Sequence, residues 1–225
     1  MKQVIKNGYY WLLDYLYVFK MQLASIVQHD SPAQYQTDAG QPIVLIPGVY
    51  ENWRFMRPIA KVLHAHGYDV HVIAGLGYNR KTVEEMAEVI QDYLQAQHLT
   101  HVTLVTHSKG GLIGKFLLGS ITDANLLRGM IALNAPFSGS KYAYILPVRS
   151  LRIFIPHSRI LSLLALDTLS NSKIVSIYGL FDPHIPGGSM LEGAKNIRLE
   201  TYGHFRIISD RKVHKAVIEN IRQLV

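Results

Sequence analysis

Beyond residue 42 the chain alternates short apolar runs with longer stretches whose apolar residues return every three or four positions. Ile43-Val44-Leu45-Ile46 is a continuous apolar run that stops at Pro47-Gly48. A run this short, bounded by turn residues, predicts a strand buried on both faces. The pattern then predicts a helix over 58–66, closed by Gly67, and a strand over 69–73. Residues 82–97 form the next expected helix, with Thr82 as its cap and Glu85 three residues later completing a capping box. The β-branched run that ends at His107 predicts a third strand, and a helix follows Ser108. Further strands are expected at 129–133, 173–178 and 196–201, and 212–224 closes the chain as an amphipathic helix. Strands that are apolar on both faces and alternate with helices belong to a mostly parallel central sheet with helices on both faces, so the expected class is α/β.

The stretch 9–27 is apolar and aromatic, so a membrane span and a signal sequence are weighed first. Eight of its residues are Leu, Ile, Val or Phe. They are worth roughly −2 to −5 kcal/mol of insertion, against about +5 to +7 kcal/mol for Asp14 and Lys20 when both sit deep. Asp14 also interrupts the apolar region that a signal peptide needs, and no small-x-small cleavage site follows it. What remains is helical periodicity. Leu12, Leu16, Phe19, Leu23 and Val27 recur at spacings of three and four, one face of an amphipathic helix within residues 1–30. That face either packs on the domain's own surface or lies in a membrane interface. Residues 31–42, with Ser31-Pro32 and Asp38-Ala39-Gly40, read as a polar linker, and 43–225 as one domain. The expected location is cytoplasmic, with peripheral membrane contact if the helix faces lipid.

Composition narrows the chemistry. A chain of 225 residues, 48% of them hydrophobic, fills one core and hardly two. With no cysteine, disulfides, thiolate metal sites and cysteine catalysis are excluded. Lys and Arg number 23 against 16 acids, and the net charge of +7 favours anionic partners such as an acidic lipid surface. No nucleic-acid motif accompanies that charge. Gly75-Leu76-Gly77 lacks the third glycine and the strand-to-helix setting of a dinucleotide site, and His64 and His66 point to different faces of a helix, so no cofactor and no metal is expected.

In a parallel α/β sheet, ligands bind beyond the carboxyl ends of the strands. Those ends collect Gly48-Val49-Tyr50, Ser108, Asn134-Ala135-Pro136, Asp182 and Gly203-His204. Ser108 sits where the strand turns into the glycine-rich start of a helix. This is the geometry of a nucleophile elbow, which lifts the hydroxyl above the sheet and frees the next backbone N–H, that of Lys109, for an oxyanion. Thr106 stands where such elbows usually carry glycine, and its branch must fit against the incoming helix. A serine needs a base, and the base needs an anion to fix its tautomer. His204 follows the last strand and Asp182 the one before it, in the chain order Ser, Asp, His. Asp167 precedes its strand, His184 lies too near Asp182 to mark another strand end, and His214 falls inside the final helix.

On these residues the chain resembles the α/β-hydrolase superfamily, and within it the small bacterial triacylglycerol lipases built on the minimal fold. The most specific similarity runs over 173–208, with Ser176-Ile177-Tyr178, Asp182, Leu191-Glu192-Gly193-Ala194-Lys195-Asn196-Ile197 and Gly203-His204-Phe205-Arg206-Ile207-Ile208. The resemblance implies Ser108 as nucleophile, His204 as base and Asp182 as its orienting acid. That family's oxyanion loop usually reads His-Gly. Here Pro47-Gly48-Val49 stands instead, so the donor pair implied is the N–H of Val49 with that of Lys109.

Residues 137–172 are longer than a tight connection needs and should form a cap. No acidic residue occurs from 124 to 166, while Arg128, Lys141, Arg149, Arg152 and Arg159 lie among Tyr142, Tyr144, Ile145, Leu146 and Phe154. The cap is either packed on its own core with a basic edge, or a lid facing an acyl chain or lipid. Tyr50, Phe137 and Tyr142 are the candidate substrate contacts. The expectation is a serine hydrolase cleaving small-molecule or lipid esters through an acyl-enzyme. An acyltransferase or thioesterase using the same three residues is the alternative, as is a non-catalytic lipid-binding relative. The oligomeric state is left open.

Overall fold

The computed structural model describes residues 2–27, 31–37, 39–145 and 148–224. The apolar runs become β1 (Pro42–Ile46), β2 (Asp69–Val72), β3 (Val102–His107), β4 (Leu127–Leu133), β5 (Ile174–Phe181) and β6 (Lys195–Tyr202). They form one six-stranded sheet in the order β2-β1-β3-β4-β5-β6, with every neighbouring pair parallel. The chain leaves β1 toward β2 on one side and returns to β3 on the other. The carboxyl ends of β1 and β3 thus flank the point where the winding reverses, which opens a crevice above the sheet.

The crossovers carry α2 (Arg57–Ala65), α3 (Val83–Ala96) and α4 (Lys109–Ser120), while α5 (Arg159–Leu166) lies in the segment between β4 and β5 and α6 (Arg211–Ile221) ends the fold. The α3 capping box is present: the Thr82 N–H donates to the Glu85 carboxylate at 2.8 Å, and the Glu85 N–H to Thr82 Oγ1 at 3.1 Å. Alternate strand residues serve opposite faces. Val44, Ile46, Leu104 and Met130 pack with Ile90, Ile113 and Leu161 on one side, and Ile43, Leu45, Val70 and Val105 with Ile59, Leu63 and Val217 on the other. Each such side chain taken from water contributes roughly 1.5–3 kcal/mol. The sheet therefore holds the strand ends rigidly. β6, at the open edge, carries Lys195, Arg198 and Glu200, charges that discourage pairing with a further strand.

Preceding the sheet, α1 (Lys2–Val27) corrects one expectation. It docks on the domain, but not by its apolar stripe: Leu12, Leu16, Phe19, Leu23 and Val27 are between 48% and 71% exposed. The docked face is the one bearing Asp14, Tyr17, Val18 and Met21, with Tyr17, Val18 and Met21 packed against the α2/α6 side of the core. Asp14 is 0% exposed, because backbone N–H groups of the turn after β6 receive its carboxylate. Among the described residues no helix is long and apolar enough to cross a membrane.

Candidate active site

Ser108 follows β3 with φ 52° and ψ −119°, a strained conformation for any residue with a Cβ. The sheet enforces it: the Ser108 N–H donates to the Leu133 carbonyl of β4 at 2.9 Å, and α4 begins at the next residue. The helix meets the turn after β4 closely enough that a Cβ at Gly111 would stand 2.4 Å from that of Ala135. The same glycine face answers the Thr106 question, since a Cβ at Gly114 would lie 3.3 Å from Thr106 Cγ2. The branch occupies space that α4 leaves empty, and Thr106 Oγ1 donates to the Ile131 carbonyl at 3.4 Å.

The structure brings the three candidate residues together. His204 Nε2 lies 2.9 Å from Ser108 Oγ, and His204 Nδ1 lies 2.7 Å from Asp182 Oδ2. Nδ1–H facing the carboxylate leaves Nε2 as the acceptor for the serine proton. Asp182 is fixed in turn, its Oδ1 accepting the N–H groups of His184 and Ile185 at 2.7 and 3.0 Å. Burial opposes protonation of His204. The Asp182 charge and hydrogen bond, with Asp14 and Glu51 beyond them, outweigh it and raise the imidazole above its ordinary value. For Asp182 burial pushes up, but the charge and hydrogen bond of His204 and the His184 N–H hold the carboxyl below its usual range.

Around this line stand residues to which sequence reasoning assigned no role. Asn134 Nδ2 donates to the His204 carbonyl at 3.1 Å, and His107 Nε2 donates to the same oxygen at 3.0 Å. The other ring nitrogen of His107 is 2.9 Å from the Glu51 carboxylate, which also accepts the Gly48 N–H at 2.7 Å. Glu51 thereby ties the loop after β1 to the strand beneath Ser108. The signal for Asn134 was its place at a strand end, whereas His107 and Glu51 are recognisable only by their contact.

Of the two candidate oxyanion donors, Val49 lines the same cavity as Ser108, and Lys109 follows Ser108 in the chain. In the first loop the Gly48 N–H is held by Glu51 and the Tyr50 N–H by the Tyr78 carbonyl at 2.8 Å, with the Val49 amide between them. Lys109 is the first residue of α4, where N–H groups lack intrahelical acceptors. Its side chain turns away: the ammonium donates to the carbonyls of Asn79 and Lys81, and burial brings it down to about 8.

A cavity of about 330 Å³ opens over Ser108 and His204. Of the candidate substrate contacts, Tyr50 and Tyr142 line it, but Phe137 does not. That ring packs against the core on the α3/α4 side, because the chain turns at Pro136 and directs it inward. Ala143, Leu151 and Phe154 of the cap form one apolar wall, and Tyr50 Oη lies 2.6 Å from Ser150 Oγ, joining the first loop to the cap. A further part of the lining was not foreseen: Tyr15, Val18 and Gln22 of α1. His184 also faces this space, its ring centroid 4.9 Å from that of His204, and burial followed by the neighbouring His204 pushes it down to about 3, so it is neutral. Among the described residues no three His, Asp or Glu side chains are placed to hold a metal ion.

No protein-family model matches the sequence, and no curated protein matches it. Solved structures do. A lipase of Bacillus licheniformis in mature form is 16% identical with a TM-score of 0.63, covering 87% of this chain and 96% of its own. A monoacylglycerol lipase of Paleococcus ferrophilus is 14% identical with a TM-score of 0.61, covering 83% and 97%. A bacterial membrane phospholipase A, described as a virulence factor, is 11% identical with a TM-score of 0.59, covering 84% and 81%. Together with the six parallel strands, these likenesses establish the fold as that of the α/β-hydrolases.

Proposed function

We propose that the protein is a serine hydrolase of carboxylic esters, acting on lipid or medium-chain substrates. The observation that carries this reading is the unbroken hydrogen-bonded line from Asp182 through His204 to Ser108, ending under an apolar cavity. Ser108 Oγ attacks the ester carbonyl as His204 Nε2 takes its proton, and the N–H groups of Val49 and Lys109 bind the oxyanion. The imidazolium, stabilised by Asp182, gives that proton to the leaving alkoxide. Water, deprotonated by His204, then attacks the acyl-enzyme, and the proton returns to Ser108 as the acid departs.

An apolar cavity of about 330 Å³ is at the small end for a ligand site and suits an acyl chain rather than a polar acyl group. The likeness to a monoacylglycerol lipase and a membrane phospholipase A supports lipid esters. So does the surface. The stripe Leu12, Leu16, Phe19 and Leu23 on α1 and the cap residues Tyr142, Tyr144 and Ile145 are exposed, with Lys20, Lys141, Arg152 and Arg159 also exposed on these elements. Apolar groups among cations fit the interface of an anionic membrane, where the protein sits peripherally from the cytoplasmic side. Hydrolysis of an ester series with acyl chains of increasing length tests the reading. Turnover that rises from acetate to medium chains agrees with it, and absence of turnover across the series opposes it.

A further inference from the structure

The helix α1 reaches both loops on which the proposed chemistry depends. Asp14 turns its buried carboxylate into the stretch after β6: Oδ2 accepts the His204 N–H at 2.8 Å, and Oδ1 accepts those of Phe205 and Arg206 at 3.0 and 2.9 Å. Gly203 permits the approach, since a Cβ there would stand 2.5 Å from Asp14 Oδ1. Farther along the helix, after a rise of about 12 Å, Gln22 Nε2 donates to the Tyr50 carbonyl at 3.1 Å, in the loop that carries the Val49 amide.

Three consecutive N–H groups converging on one carboxylate is an anion-binding arrangement, and here the anion comes from 190 positions away in the same chain. Burial raises the Asp14 carboxyl above its usual value, against the pull of those donors. An apolar side chain would dock the helix without burying a charge. What the carboxylate adds is direction. With Asn134 and His107 on the His204 carbonyl, it grips the backbone of that residue from its amide side as they do from the other.

We propose that Asp14 is a positioning residue of the active site: it holds the 204–206 turn so that the His204 imidazole stays in line between Asp182 and Ser108, and α1 is therefore docked whenever the enzyme turns over. This rests on the serine hydrolase reading above. A slip of about 1 Å in such a line costs on the order of 10²-fold in rate. The charge acts as well, because the groups facing His204 are the anions Asp182, Asp14 and Glu51 and the rings of His107 and His184. Loss of one anion makes the imidazolium less favourable, so the acid limb of the pH profile moves to lower pH.

Asp14→Asn in the full chain tests this with a soluble short-chain ester, because it keeps the volume but turns an amide N–H toward one of the three donors. The expected result is a fall in kcat on the order of 10²-fold with KM little changed, and an acid limb displaced downward. A folded variant with the parental kcat and limb overturns the proposal; a docking contact without a positioning role would lower the melting temperature alone. Amide exchange on the unaltered protein gives a second reading that needs no variant. The N–H groups of 204–206 should exchange with the slow core strands, and exchange at loop rates overturns the proposal. Failure of the underlying reading is distinct: the unaltered protein itself would then show no ester turnover.

Discussion

His204 Nδ1 and Asp182 Oδ2 stand 2.7 Å apart with both side chains buried, so the imidazole meets the serine with its tautomer already set. The sign of the pH dependence follows. In the proposed mechanism turnover needs neutral His204, whose pKa is raised by Asp182, Asp14 and Glu51 against the effect of burial. Activity is therefore full at alkaline pH and falls as pH drops through a value above the ordinary imidazole pKa of about 6.5. A rate profile taken with chemistry rate-limiting checks this, and an acid limb below that value would contradict it.

Asp182→Asn removes the tautomer control while keeping the shape, and should lower kcat by about 10⁴-fold. His204→Ala should cost as much or more, and the double variant little beyond the worse single one, because both act on one proton. Circular dichroism should show both folded.

The close meeting of α4 with the turn after β4 predicts a stability effect separate from chemistry. In Gly111→Ala the new methyl would start 2.4 Å from Ala135 Cβ, between two rigid elements. Overpacking of this kind costs about 1–3 kcal/mol. Urea titration at neutral pH should show that loss, and an unchanged midpoint would mean that α4 can yield.

How the chain presents α1 shows where sequence stops informing. The strands, the capping box and the serine turn are legible because each depends on residues within a few positions of one another. The order of Ser108, Asp182 and His204 along strand ends is legible because sheet topology places those ends together. Periodicity tells which residues share a helix face, not which way that face turns. Leu12, Leu16 and Phe19 read as one stripe that faces either the domain or lipid, and they are exposed. Asp14, which reads as an interruption of the apolar region, makes the deepest contact of the helix. Phe137 failed for a related reason: its position beside the site is sequential, while its direction is set by the turn at Pro136.

The exposed stripe yields its own prediction. The paired change Leu16→Ser and Phe19→Ser should weaken sedimentation with anionic vesicles, leave the melting temperature within about a degree, and leave residual binding that salt releases. Removal of residues 1–30 should instead lower the melting temperature, since it strips Tyr17, Val18 and Met21 from the core as well as the stripe. Vesicle pelleting equal to the parent's in the paired variant would show that lipid does not meet this face.

Labelling with a fluorophosphonate followed by peptide mapping tests whether Ser108 is a nucleophile activated by its neighbours. One adduct is expected, on Ser108, its formation slowing as pH falls through the His204 titration, and none in Ser108→Ala. An intact protein that takes no label, or one that carries it on another serine, would contradict the account.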